Sequence, residues 1–167
     1  MSQPQNSNPK TYVLVHGAFH GGWCWRLVAG ILRNAGHTVF TPTLTGLGER
    51  LHLLTPEVNL STHIQDVTSA LEWENLRDVV LVGHSYGGSV VTGVADRAAD
   101  RIGSIVYLDA AVPTSGQSML DVQPPERRQG MIDRAASSSG WTLPANSAEY
   151  YGVTDKADQA WVDSKCT

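Results

Sequence analysis

Only two cysteines occur in the 167 residues, Cys24 near one end and Cys166 at the other. They supply neither a metal-ligand spacing nor a disulfide framework, so the expectation is reduced thiols in a cytoplasmic setting. Clustered positive charge is also missing. Net charge is −4 and no stripe of Lys and Arg forms, which excludes nucleic acid as a partner. No apolar run is long enough to span a bilayer, which excludes a membrane partner. The first residues, "MSQPQNSNPK", lack the apolar stretch of a secretion signal, and residues 1–10 read as a disordered tail. There is no internal repeat and no low-complexity block. The length suits one domain with a real core.

What is present is strand–helix alternation. "TYVLVH" (Thr11 to His16) is apolar on successive residues, as in a parallel strand covered on both faces. A helix is expected from Trp23 to Ala35, with Cys24, Leu27, Val28, Ile31, Leu32 and Ala35 on one face and Gly36 as its left-handed stop. His37 to Thr41 reads as a second strand. Thr62 and Gln65 form a capping-box pair opening a helix that faces Ile64, Val67 and Leu71 inward. Asp78 to Val82 is a third strand, Tyr86 to Ala99 a helix with Val90, Val91, Val94, Ala95 and Ala98 inside, and Ile102 to Leu108 a fourth strand. Short connections between such units imply right-handed crossovers and a parallel sheet. Beyond Pro113 strand signals stop. Pro125 can begin a helix, "SSSG" (Ser137 to Gly140) ends it, and Asp155 to Cys166 is helical again, with Ala157, Trp161 and Val162 apolar. The expected division is a tail at 1–10, an α/β core at 11–113 and a helical segment at 114–167 over the C-terminal edge of the sheet, where open α/β sheets bind ligands.

"VGHSYGG" (Val82 to Gly88) carries the chemistry. Gly83-His84-Ser85-Tyr86-Gly87 fits G-x-S-x-G, with a strand running in and a helix running out. A turn that tight strains the serine and brings the residues two before and two after too close for side chains, hence Gly83 and Gly87. Gly88 and Gly93 each cost the next helix about 1 kcal/mol against alanine, which makes sense if it packs closely on the sheet. Rival readings of these glycines fail. Ser89 stands where a phosphate loop needs Lys, and "GAFHGG" is not G-x-G-x-x-G. His16 and His20 lack the Glu and third ligand of a zinc site and read as structural imidazoles, so neither a metal nor a cofactor is implied. As a nucleophile, Ser85 needs oxyanion donors: the backbone N–H groups of Tyr86, at a helix N-terminus, and of Ala18, in the loop after the first strand.

In this order, "VLVHGAFHGGWCW", "TLTGLGER", "LVGHSYGG" and "IVYLDAAVP" resemble the α/β-hydrolase superfamily, in the branch of plant methylesterases, hydroxynitrile lyases and pyrethroid-hydrolase-type carboxylesterases. The resemblance covers almost all of the chain beyond the tail. It implies a parallel sheet of the α/β-hydrolase type, four strands of it present and the last ones missing, with a partial helical cap. It makes Ser85 the nucleophile, with Ala18 and Tyr86 as oxyanion donors, of a carboxylesterase acting on a small-molecule ester. The lyases carry Thr directly after the histidine of the first-strand motif, and Gly17 here favours hydrolysis. The chain departs from the branch at its other end. All six histidines precede Ser85, whereas the triad of this fold runs Ser, acid, His. The expectation is therefore an N-terminal part of such an enzyme, its acid and histidine beyond Thr167, nearly inactive alone. Asp109, ending the fourth strand, is a candidate acid, with a loop-orienting carboxylate as its other reading. Phe19, Tyr86, Trp141 and Trp161 are candidates to line a pocket for a hydrophobic, uncharged ester. A non-catalytic ligand-binding protein on the same fold is the alternative.

Overall fold

The computed structural model describes residues 8–167. The first seven residues of the expected tail lie outside the described residues. β1 (Thr11–Val15), β2 (Thr38–Phe40), β3 (Val79–His84) and β4 (Ile102–Leu108) form one sheet in the order β2-β1-β3-β4, with every pairing parallel. Helices α1 (Arg26–Asn34), α2 (Leu60–Trp73) and α3 (Gly87–Arg97) make the crossovers. Val13, Val15, Val79 and Leu81 point to one face and pack against Ile64, Val67 and Leu71 of α2 and Val90, Val91 and Val94 of α3. The alternate residues Leu14, Val80 and Val82 point to the other face, with Trp25 and Ala29. This two-sided burial is what an unbroken apolar strand requires.

α1 lies where the apolar period placed it but is turned about its axis. A 3₁₀ turn, Gly22–Trp25, precedes it and holds Cys24 half-buried. The 3₁₀ turn advances three residues per turn, so the face delivered to the sheet is Trp25, Ala29 and Leu32. Leu27, Val28 and Ile31, expected inside, are exposed. Gly36 does take the left-handed stop, at φ +89°. At α2 the cap comes one turn earlier than expected. The Asn59 side chain accepts from the Ser61 and Thr62 N–H groups, and Thr62 Oγ1 accepts from the Asn59 N–H, so Thr62 closes a box that asparagine opens. Gln65 instead donates to Ser69 Oγ at 3.0 Å.

After β4 the chain forms α4 (Pro125–Ala136), with Pro125 in its first turn and a stop at Ser137, and then α5 (Lys156–Asp163), capped by the Asp155 carboxylate. On α5, Trp161 and Val162 are half-buried and Ala157 is exposed. Among the described residues no helix is long and apolar enough to cross a membrane.

Candidate active site

β3 delivers Ser85 at its C-terminal end and α3 begins two residues later. Ser85 has φ +53°, a left-handed backbone that costs a non-glycine residue about 1–3 kcal/mol and persists only where neighbours enforce it. They do. The Ser85 N–H donates to the Leu108 carbonyl at 3.3 Å, and its own carbonyl accepts from the Gly88 and Ala111 N–H groups at 3.0 Å. The end of β4 thus clamps the elbow through a turn at Asp109, itself at φ +43°. A Cβ on Gly83 would meet the Gly87 carbonyl oxygen at 2.6 Å, and one on Gly87 would meet the Val15 and His16 carbonyls at 2.8 Å. Gly88 is equally necessary, against Ala111 at 2.6 Å. The tight packing at Gly93 is on Ile64 of α2 rather than on the sheet.

The loop after β1 closes over this elbow, and a Cβ on Gly17 would lie 3.0 Å from Ser85 Cβ. His16 sets the loop's direction. It is fully buried, its Nε2 accepts from the Leu44 N–H at 3.0 Å, and its Nδ1–H therefore donates to the Gly17 carbonyl at 2.8 Å. Burial, the largest cause, pushes its pKa down to about 4, so the ring stays neutral. Carbonyl and N–H of a trans peptide unit point in opposite directions, so fixing the Gly17 carbonyl turns the Ala18 N–H away from His16. Among the described residues, neither the Ala18 N–H nor the Tyr86 N–H has a protein acceptor.

Tyr86 is braced from behind. His63 donates from Nε2 to the Thr45 carbonyl at 2.9 Å, leaving Nδ1 to accept from the Tyr86 hydroxyl at 2.8 Å. Burial lowers the His63 pKa and raises that of Tyr86, so both are neutral. Asp66 in turn accepts from the Thr45 N–H and hydroxyl at 2.7 and 2.8 Å and pairs with Arg50 at 3.4 Å. The "TLTGLGER" loop is therefore tied to the residue after Ser85. Sequence reading missed His63 and Asp66 as parts of the site. The one available signal was His63's place beside Ile64 and before Val67, on the inward face of α2.

Ser85 opens into a cavity of about 760 Å³. Gly17, Ala18, Phe19, His20, His84, Tyr86 and Asp109 line one side, and Met119 to Arg134 with Leu143 to Tyr151 supply the rest. Five of the sequence candidates, Ser85, Ala18, Tyr86, Phe19 and Asp109, thus share one cavity, whereas Trp141 and Trp161 lie off it. Trp161 packs edge-on to Trp23 at 5.0 Å with the Arg26 guanidinium 3.8 Å from its ring, and Trp141, just past the Gly140 break, is on the surface. His84 does reach the cavity although it adjoins Ser85; burial is the main cause lowering its pKa, and Asp109 opposes that. His20 Nδ1–H donates to the Ala18 carbonyl at 2.8 Å, and its Nε2 lies 3.9 Å from Cys166 Sγ. Among the described residues no group of three or more His, Cys, Asp and Glu is placed to hold a metal ion.

The profile of the alpha/beta hydrolase family matches residues 12–166. The chain belongs to the alpha/beta hydrolase family. Within it, the chain is 49% identical over 164 residues to a carbendazim-hydrolyzing esterase of Nocardioides sp. strain SG-4G, covering 93% of this chain and 67% of that protein. It is 34% identical to methyl jasmonate esterase 1 of Vitis vinifera, over 71% of this chain and 47% of that one. Among solved structures, an extracellular alpha/beta-hydrolase from a Paenibacillus species, described as sharing structural and functional homology with tobacco salicylic acid binding protein 2, superposes with a TM-score of 0.85. The two are 30% identical, and the match covers 94% of this chain and 66% of that one. This alpha/beta hydrolase chain thus spans between about half and about two thirds of these relatives' lengths.

Proposed function

We propose that this chain carries the nucleophile and oxyanion hole of a serine carboxylesterase. The observation that carries the reading is Ser85, in a left-handed backbone at the head of the cavity, with the unpartnered N–H groups of Ala18 and Tyr86 on the two segments that flank it. In the reaction, Ser85 Oγ adds to the ester carbonyl while a base takes its proton. The two N–H groups hold the oxyanion, the carbonyl re-forms as the alcohol leaves with a proton, and water then releases the acid from the acyl-serine. Phe19, Met119, Met131 and Leu143 give the cavity the apolar wall a hydrophobic ester needs, and residues 114–167 act as the cap that carries most of it. The relatives named as esterases support the class of reaction. Gly17 supports hydrolysis over a lyase reaction because the lyases of this branch carry Thr at that position.

The second reading is ligand binding without turnover on the same fold, favoured by the likeness to a hydrolase described as sharing structural and functional homology with a salicylic acid binding protein. A fluorophosphonate separates the two. With intact-mass detection on a chain extended to supply the complete triad, a single adduct is expected, mapped to Ser85 and lost in Ser85→Ala. An adduct spread over other residues, or none after prolonged exposure, would overturn the nucleophile assignment. Steady-state hydrolysis of p-nitrophenyl acetate by residues 1–167 is expected to be orders of magnitude below that of a complete triad. Fast turnover lost in Ser85→Ala would make His20 or His84 the base.

A further inference from the structure

The wall that α4 turns toward Ser85 is cationic. Arg127, Gly130, Met131 and Arg134 follow one another at i, i+3, i+4 and i+7, a single helical face, and all four line the cavity. Arg128, off that face, is paired with Asp121 at 3.3 Å. Arg134 donates to the Pro144 carbonyl at 2.6 Å and is held in place by it. Among the described residues the Arg127 guanidinium has neither an ion pair nor a hydrogen bond. The lining contains one carboxylate, Asp109, which follows β4 and acts on His84. Two guanidinium groups against one carboxylate make the local charge positive, in a chain whose net charge is −4.

We infer that the Ser85 cavity selects esters bearing an anionic group, a carboxylate, remote from the scissile bond, with Arg127 as the residue that determines this preference. A planar guanidinium with no internal partner matches a carboxylate by two parallel N–H donors, and the partly enclosed cavity strengthens the pair over one in open water. Arg127 and Arg134 stand about 10 Å apart along the helix axis at 1.5 Å per residue, so they offer charge at two depths to acids of different length. This departs from the uncharged ester expected from sequence, where α4 gave no sign of which of its faces meets Ser85. The inference rests on the esterase reading only for which end of the ligand meets Ser85.

The test is equilibrium binding, which needs no turnover. Calorimetric titration at low salt compares monomethyl adipate with dimethyl adipate. The half-ester is expected to bind a few-fold more tightly, the scale of one exposed ion pair at low salt. The preference should vanish in Arg127→Gln and return in part in Arg127→Lys, and Arg127 is exposed enough for either change to leave the fold intact. Equal affinities, no saturable binding of the half-ester, or a preference that survives Arg127→Gln would overturn the inference. Failure of the esterase reading looks different, since fluorophosphonate labelling then misses Ser85 while the half-ester preference persists.

Discussion

His16 sits beneath the loop that carries Ala18, with both ring nitrogens committed to backbone groups and no exposed surface. Its pKa falls from 6.5 to about 4 on folding, mainly through burial. Above pH 6.5 both states are neutral there and stability does not depend on this group. Between 6.5 and 4 the unfolded chain binds the proton that the folded chain refuses, so stability declines as pH falls, by roughly 1.4 kcal/mol per pH unit and about 3 kcal/mol over the window. His63 and His84, also depressed by burial, push in the same direction. Urea denaturation at pH 7, 5.5 and 4.5 should show the decline. His16→Gln, whose amide can still accept from Leu44 and donate to Gly17, should flatten it. A slope unchanged in that variant would mean that other groups govern the acid limb.

Between elements, the contact that decides packing is Gly93 of α3 against Ile64 of α2. An alanine there would bring its Cβ within 2.8 Å of Ile64 Cγ1, and into Cδ1 as well. Helix propensity favours Gly93→Ala by about 1 kcal/mol, while overpacking opposes it by about 1–3 kcal/mol, so a net loss of stability is expected. In an Ile64→Val background, where Cδ1 is gone, the same change should cost less or nothing. Equal losses in both backgrounds, read from denaturation midpoints, would place the strain elsewhere. The helices themselves were legible in the sequence because their period is a local property, and β4 agrees with its expected bounds, Ile102–Leu108. The roll of α1 was not, because it depends on a 3₁₀ turn that no periodicity announces. Ser85 was legible from its glycines, whose reasons lie within a few residues. The brace on Tyr86 was not, since His63 and Asp66 meet Thr45 and Tyr86 only once α2 has folded against the sheet.

At the scale of the whole molecule, the two faces of the sheet are unequally covered. Tyr107 reaches Thr92 on the α3 side at 3.0 Å, and Ile102 and Ile105 pack into the core there. Opposite, Val106 and Leu108 pair in register with Val82 and His84 and so face the α1 side, where they are 43% and 47% exposed. α1 adds Leu27 and Ile31, each 69% exposed, to the same side. Among the described residues β4 is also an edge strand, with β3 as its one neighbour in the sheet. An apolar face beside an open edge is the arrangement that pairs with other chains. Residues 1–167 are therefore expected to self-associate as concentration rises, seen as growth in scattering mass and in binding of an apolar dye. Leu27→Glu with Ile31→Glu should suppress the association without lowering the denaturation midpoint, because neither side chain is buried. Val106→Lys, which charges the edge strand itself, should suppress it further. A chain that stays monomeric at high concentration, or association indifferent to all three substitutions, would show that this face and edge do not attract one another.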